Sequence, residues 1–361
     1  MKRALKIILL ALAGVGFAIA QGAGRQEKAA ERTAGQVYKN IQVFNDLPAS
    51  QLPTVMNFMA GSLGVKCSHC HSGPFERDDK PAKQAARRMI RMVFDLNRGS
   101  FGGASAVTCY TCHRGRPTPV SVPAVGANPW QGAAATDAKP AATLPSVAQV
   151  FDRYVEALGG RAAILGQTTR VMKGSRVGAD GVLVPEEVYQ KAPNKSVVLT
   201  RYPEFVLRRG FDGKTGWGMD AGGPALLSPQ DVAELERDAD FYKEADLGRL
   251  YAEARVTGEE KIGGRRAYVV GAKARDGSSE RLYFDAETGL LVRRDREVKI
   301  ALGLFPTETD YEDYREVGGV KIPFALRWSM PGRSWGRRIA EVKYNEPVED
   351  TIFTAAAATK G

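Results

Sequence analysis

The chain has 361 residues, of which 43% are hydrophobic and 25% charged. This is the composition of a globular protein with room for about two domains of 100–200 residues, and it excludes a disordered or fibrous chain. Lysine and arginine outnumber aspartate and glutamate by 51 to 41, a formal net charge of +10. A basic surface of this kind suits the steering of an acidic partner.

The first twenty residues have the pattern of a secretory signal peptide, assigned to residues 1–20. Lys2, Arg3 and Lys6 precede an apolar run that ends in Ala-Ile-Ala before Gln21, which is a small-x-small cleavage pattern. The apolar run is short for a membrane span, and the alternative is an uncleaved amino-terminal anchor. We therefore expect an exported, periplasmic protein, soluble or peripheral to a membrane, that does not bind nucleic acid.

Two units with one plan come next, each consisting of a helix, a loop and a CxxCH motif. The first helix is predicted over residues 46–63, because apolar residues recur at steps of three and four. It is followed by CSHCH at 67–71. The second helix begins near Pro81, a residue suited to a first helical turn, and precedes CYTCH at 109–113.

CxxCH is the attachment signature of a c-type haem. The two thiols bond to one edge of the porphyrin, and the histidine that follows offers its imidazole to the iron. We therefore predict a small, mostly α-helical domain over residues 30–118 that carries two covalently bound c-type haems. The residues assigned are Cys67, Cys70 and His71 for the first haem, and Cys109, Cys112 and His113 for the second. A four-cysteine zinc ribbon is the alternative, but it does not explain a histidine after each second cysteine.

Methionines could supply the sixth ligand of each iron. Met56/Met59 and Met89/Met92 are i, i+3 pairs, one pair on each predicted helix. A thioether ligand stabilises ferrous haem and raises its potential. Methionine at helical spacing is also common core filler, but its repetition before both motifs favours one ligand from each pair.

The rest of the chain changes character twice. Residues 119–145 are rich in Pro, Ala and Gly and predict a linker. Residues 146–358 contain an amphipathic helix from Ser146, a helical interlude near residues 228–251, and strand-like runs. Turn signals at about ten-residue intervals indicate an antiparallel meander, so we predict an α+β domain with a curved antiparallel sheet. No histidine or cysteine follows position 113, which excludes cysteine nucleophiles, serine–histidine triads and histidine-bound metals there.

The two haem units resemble a known family. QLPTVMNFMAGSLGVKCSHCH and ARRMIRMVFDLN…AVTCYTCHRGRPTPV are similar to the haem-binding segments of the photosynthetic reaction-centre cytochrome c subunit, over about residues 35–120. In that family a helix supplies an axial methionine before each CxxCH, which implies Met56 for the first haem and Met89 for the second. The resemblance extends to half of a four-haem protein, without its lipid-anchoring cysteine. It implies electron transfer with a redox partner, such as a membrane electron-transfer complex or a reaction centre.

The second half resembles the LolA-like lipoprotein-carrier family. The opening helix ending in ALGG and the segments FDGKTGW, LYFDAETGLLVRRD and YEDYREVGGVKIPF carry this resemblance. It implies a half-barrel that holds a hydrophobic ligand.

Electron transfer is the favoured function, which makes the protein an electron carrier rather than an enzyme. Two alternatives remain open. One is a haem sensor or peroxidase with one open coordination site, and the other is a lipid or lipoprotein carrier to which haems are attached.

Overall fold

The computed structural model describes residues 31–119 and 144–355. The predicted signal peptide and almost all of the predicted linker lie outside the described residues. Within the described ranges, no helix is both long enough and apolar enough to cross a membrane.

The amino-terminal part is helical, as predicted. Its helices are α1 (Ala34–Val37), α2 (Leu52–Leu63), α3 (Pro81–Ser100) and α4 (Cys109–His113). Proline lies in the first turn of both α2 and α3, where its missing N–H costs no helical hydrogen bond. Helix α2 ends at Gly64, whose φ of +64° is a left-handed cap that favours glycine. The helix predicted from residue 46 thus begins later, after a 3-10 turn at Ala49–Gln51.

The carboxy-terminal part is an α+β domain built on one sheet, which confirms the predicted fold class. Its helices are α5 (Val147–Ala157), α6 (Arg161–Leu165) and α7 (Pro229–Ala239). Its strands are β1 (Thr169–Val177), β2 (Leu183–Lys191), β3 (Lys195–Arg201), β4 (Val206–Phe211), β5 (Gly216–Asp220), β6 (Gly223–Pro224), β7 (Tyr251–Ile262), β8 (Arg265–Ala274), β9 (Ser279–Asp285), β10 (Leu291–Ile300), β11 (Gly303–Val317), β12 (Val320–Met330) and β13 (Arg333–Tyr344).

These described strands form a single antiparallel sheet in the order β6-β5-β4-β3-β2-β1-β13-β12-β11-β10-β9-β8-β7. All partners are sequence neighbours except β1 and β13, whose pairing joins the two ends of the meander. Helix α5 packs Val150, Phe151 and Tyr154 into the main apolar core of the sheet. Two features differ from the prediction: β5 and β6 were not expected, and the helical interlude ends at Ala239, with 3-10 turns after it.

The helical part is not separate from the sheet. Ile300, Leu302 and Phe305, at the β10–β11 hairpin, belong to the same apolar cluster as Val55 and Ile90 of helices α2 and α3. A second contact joins the β12–β13 hairpin to α2, where a Cβ placed on Gly61 would lie 2.5 Å from the Cβ of Pro331. Two hairpins at one end of the sheet therefore contact α2 and α3, the helices that precede the CxxCH motifs.

Candidate functional site

The first motif is anchored to the loop that follows it. His71 donates from Nδ1 to the carbonyl oxygen of Phe75 at 3.2 Å, and its ring packs edge-on against the Phe75 ring with the centroids 5.1 Å apart. The Phe75 carbonyl accepts a second hydrogen bond from Lys83 Nζ of helix α3 at 2.8 Å. The orientation of His71 therefore depends on a residue twelve positions further along the chain.

Helix α3 holds this loop along one face. Lys83 Nζ also donates to the carbonyl of Arg77 at 2.7 Å and pairs with Asp78 at 3.0 Å. Arg87, one turn further on, pairs with the same carboxylate at 2.8 Å and donates to the carbonyl of Asn40 at 3.1 Å. Hydrogen bonds from Arg87 and Lys83 hold the pKa of Asp78 well below its usual range. The carboxylate stays ionised at neutral pH and links the loop to the helix.

The second motif is held by side-chain hydrogen bonds from the other end of α3. The buried Asn97 side chain donates to the carbonyl of Val107 at 2.8 Å and accepts from the Val107 N–H at 2.9 Å. Thr108 then caps helix α4, with its N–H donating to Thr111 Oγ1 at 3.0 Å. His113 donates from Nδ1 to the carbonyl of Arg116 at 2.9 Å. Both histidines are thus oriented by a backbone carbonyl.

The two motifs are adjacent. The N–H of Gly115 donates to the carbonyl of Ser62 at 2.8 Å, which joins the segment after CYTCH to the end of α2. A Cβ on Gly64 would lie only 2.2 Å from the Gly115 carbonyl oxygen. The segment just before the first motif therefore touches the segment just after the second.

This arrangement prepares both imidazoles to bind a metal. A carbonyl oxygen only accepts, so Nδ1 of each ring carries the proton and Nε2 keeps its lone pair. Burial lowers the pKa of His71, and the positive charges of Lys83 and Arg87 lower it further. The neutral ring is the form that ligates iron, and an Nδ1–H bound to a carbonyl is the usual outer support of a metal-binding histidine.

The cysteines fit covalent haem attachment better than zinc. All four are free thiols; Cys67 and Cys112 are exposed, Cys70 is half-buried and Cys109 is buried. Among the described residues no three His, Cys, Asp or Glu side chains converge on a common metal position, so the four thiols do not form a shared tetrahedral site. Each CxxC instead lies beside its own histidine.

The predicted axial methionines lie in different surroundings. Met56 and Met59 are half-buried against the apolar cluster that includes Cys109. Met89 is 40% exposed, and it shares the outer face of α3 with the exposed Met92 and Leu96. Large apolar side chains in a row on a helix surface are what a planar apolar group would cover. Helix α3, which carries this face, also contacts α4, so the donor set and its surroundings fit a c-type haem.

Sequence reasoning missed the residues that position the loops. Lys83 and Asn97 hydrogen-bond to residues that lie eight to ten positions away in the sequence. The only sign of this in the sequence is the helical period of α3, which places both on its buried face. Arg87 is also buried and paired with Asp78, whereas its neighbour Arg88 is exposed.

A second candidate site is the cavity of about 220 Å³ on the face of the sheet beneath α7. Apolar side chains such as Met172, Val188 and Leu326 line part of it. Paired charges cross it, because Arg294 on β10 binds both Glu234 of α7 and Glu280 of β9 at 2.8 Å. Charged side chains such as Glu234 and Arg294 thus line the cavity together with the apolar ones, and the hydrophobic ligand stays a prediction.

The helical part of the chain resembles c-type cytochromes. Residues 18–155 match the family model of the photosynthetic reaction centre cytochrome C subunit. The reaction-centre cytochrome c subunit of Rubrivivax gelatinosus is 34% identical over 95 residues, 25% of each chain, and that of Thermochromatium tepidum is 36% identical over 91 residues, 24% of this chain and 22% of the relative. Cytochrome c-554 of Chloroflexus aurantiacus is 36% identical over 85 residues, 22% of this chain and 20% of the relative. The chain spans between a fifth and a quarter of the length of these relatives.

The sheet domain resembles different proteins. A LolA superfamily protein from Nitrosomonas europaea superposes with a TM-score of 0.42 and 15% identity, over 58% of this chain and 98% of that one. A DUF1329 family protein from Desulfovibrio piger gives a TM-score of 0.43 and 14% identity, over 59% and 98%. The resemblance of the helical part to the reaction-centre cytochrome c subunit, stated from the sequence, is confirmed by the family model and the relatives.

Proposed function

We propose that this protein is a dihaem c-type cytochrome that carries single electrons between periplasmic partners. The observation that carries the proposal is that both CxxCH histidines hold their Nδ1 proton on a backbone carbonyl, at 3.2 and 2.9 Å, and so leave Nε2 free for iron. Cys67 and Cys70 would hold one haem and Cys109 and Cys112 the other. Haem iron, when bound, supplies a reversible one-electron couple.

The chain itself would tune and protect that couple. His71 and His113 would each ligate one iron, and Met56 and Met89 would supply the second protein ligand of each. Helix α3 fixes both attachment loops, through Lys83 at one end and Asn97 at the other. A rigid ligand set of this kind limits the structural change between the two oxidation states, which favours electron transfer over chemistry at an open iron.

The partner is proposed to be a redox protein with an acidic docking face. Between residues 61 and 120 there are ten lysines and arginines and four aspartates and glutamates. Arg88, Arg91, Arg98, Arg114 and Arg116 are exposed there, so they are available to steer an acidic partner. The rate of electron exchange with such a partner should fall as ionic strength rises, because salt screens exposed charges.

Haem stoichiometry tests the attachment sites. The chain, expressed with a c-type haem maturation system, should contain two haems by the pyridine haemochrome assay. The variants Cys67→Ala/Cys70→Ala and Cys109→Ala/Cys112→Ala should contain one each. Two haems in either double variant would contradict the assignment.

The axial methionines have matched controls one turn away. Met56→Ala and Met89→Ala should each remove half of the near-infrared methionine–iron charge-transfer absorbance, while Met59→Ala and Met92→Ala should leave it in place. If Met89→Ala changes nothing and the iron binds exogenous ligands, the second haem has an open site, and the sensor or peroxidase alternative gains support.

A further inference from the structure

The two motif histidines donate to carbonyls with different surroundings. The Phe75 carbonyl accepts from His71 at 3.2 Å and from the ammonium of Lys83 at 2.8 Å. Lys83 is only 9% exposed and is held there by the Arg77 carbonyl and Asp78. The Arg116 carbonyl accepts from His113 at 2.9 Å, and no other described side chain donates to it.

This difference changes how strongly each imidazole donates to iron. An ammonium that shares a carbonyl withdraws electron density from it and weakens the other hydrogen bond that the carbonyl accepts. The weaker bond to His71 leaves that ring less basic at Nε2, because outer-shell partners set the basicity of a metal ligand. Donation from the imidazole stabilises ferric iron more than ferrous iron. Weaker donation therefore costs the ferric state more stabilisation, and the reduction potential rises.

Charge acts in the same direction. Lys83 and Arg87 place two buried positive charges beside the first motif, and one carboxylate, Asp78, offsets one of them. The extra positive charge of ferric haem is disfavoured near a net cation in a partly buried site. Arg114 and Arg116, which directly follow the second motif, are exposed, so their charges are screened by water and salt.

We infer that Lys83 is a positioning residue that raises the reduction potential of the haem on Cys67, Cys70 and His71 above that of the haem on Cys109, Cys112 and His113. The inference rests on the proposed function. With both haems bound, a single electron would rest mainly on the first one at equilibrium: its iron would be reduced as the second is oxidised, with no bond made or broken.

Potentiometric titration of the full chain tests this inference. The one-haem variants Cys109→Ala/Cys112→Ala and Cys67→Ala/Cys70→Ala assign each potential, and the former should titrate higher. Introducing Lys83→Met into the former should lower the equilibrium constant for reduction about tenfold, which is about 59 mV for one electron. Lys83→Arg, which keeps a charged donor, should retain most of the reduction potential that Lys83→Met loses. Arg88→Met, an exposed neighbour on α3, should shift it much less.

Lys83→Gln guards against a purely structural effect, since it keeps a donor without the charge. If Lys83→Met does not retain the first haem, Lys83→Gln is the variant to titrate. A Lys83→Gln protein with the haem in place and an unchanged potential would overturn the inference, as would a lower potential for the first haem than for the second. Failure of the proposed function would look different, because the wild-type chain would then lack one haem or its methionine absorbance.

Discussion

Single buried side chains decide whether the CxxCH loops keep their shape, and Asn97 shows this most directly. Its amide makes both a donor and an acceptor bond to Val107, two residues before Cys109. Without the Asn97 amide, the N–H and C=O of Val107 would be left unpaired, which costs about 1–3 kcal/mol of stability per group. The conformation of the second attachment loop therefore depends on one residue of α3.

Asn97→Ala should lower the free energy of unfolding by about 2 kcal/mol and reduce haem occupancy at Cys109 and Cys112, while the first haem stays in place. Chemical denaturation followed by circular dichroism measures the first effect and haem staining of tryptic peptides the second. Asn57→Ala, which removes an amide from the half-buried surface of α2, is the control and should change neither.

In the sheet domain, Glu280 is a single buried side chain on which stability depends. Its fully buried carboxylate pairs with Arg237 at 2.6 Å and with Arg294 at 2.8 Å. Burial alone would raise the pKa of Glu280, but the two arginines outweigh burial and hold it below its ordinary value. A depressed pKa in the folded state means that the stabilisation is present above the unfolded-state pKa, about 4.3, and is lost as the pH falls below it.

Glu280→Gln should therefore destabilise the protein by about 3 kcal/mol at pH 7, because it leaves buried arginine charge uncompensated. The difference from wild type should shrink as the pH falls below about 4. Denaturant titrations at several pH values check both effects. Glu341→Gln, which breaks the exposed pair with Lys343 at 3.2 Å, should change stability by less than about 1 kcal/mol at any pH. An equal loss in both variants would contradict a role for burial.

At the scale of an element, the end of α2 sets the distance between the two motifs. Gly64 and Gly73 both have a φ of +64°. Only Gly64 is crowded, since a Cβ there would meet the Gly115 carbonyl oxygen at 2.2 Å, whereas a Cβ on Gly73 meets nothing within 4 Å. Comparing alanine substitutions at Gly64 and Gly73 therefore separates the free-energy cost of the left-handed backbone from that of the close contact with Gly115.

Gly73→Ala should cost about 1 kcal/mol, the usual penalty for a non-glycine residue in the left-handed region. Gly64→Ala should cost clearly more, because it also forces the Gly115 carbonyl away and weakens the Ser62–Gly115 hydrogen bond. We expect it to disturb the absorbance of both haems. Thermal unfolding and the absorbance spectrum are the measurements, and equal effects of the two variants would contradict a tight contact between the motifs.

Elements with a continuous local pattern could be predicted from the sequence. Helix α3 shows this, since Ile90, Val93 and Asn97 recur on its buried face at helical spacing. The antiparallel meander was equally visible, because turn signals separate its strands. What escaped prediction has no local pattern: β5 and β6 are short and rich in glycine, and propensity gives such segments no strand signal.

The residues around the histidines escaped prediction for a related reason. CxxCH is contiguous, so spacing alone predicts the candidate attachment residues, and they stay a prediction. Lys83 and Arg87 look like exposed charges on an amphipathic helix. Only the fold shows that the loop from Phe75 to Asp78 lies over them and pairs with them. The helical period places these two side chains on the buried face of α3, but their partners are set by tertiary contacts that the period does not show.

At the scale of the whole molecule, the sheet domain packs against α2 and α3, the helices that precede the two motifs. The β10–β11 hairpin inserts Leu302 into the apolar cluster formed with Val55 and Phe58 of α2 and Ile90 of α3. Leu302 is 2% exposed, whereas Leu304, two residues later, is 55% exposed. One hairpin therefore offers a buried and an exposed leucine for comparison.

Leu302→Ala should destabilise the contact between helices and sheet by about 2–5 kcal/mol, the range for a buried leucine that leaves a cavity. The loss should be local, because Leu302 contributes to the cluster around α2 and α3 and not to the core of the sheet. Hydrogen exchange should therefore rise in residues 52–63 and 81–100 well before it rises in β7–β9, and limited proteolysis should release the haem-bearing part first. Leu304→Ala should match wild type in both measurements. Equal protection of the helices in the two variants would show that they are stable without the hairpin, and that the sheet supports neither haem site.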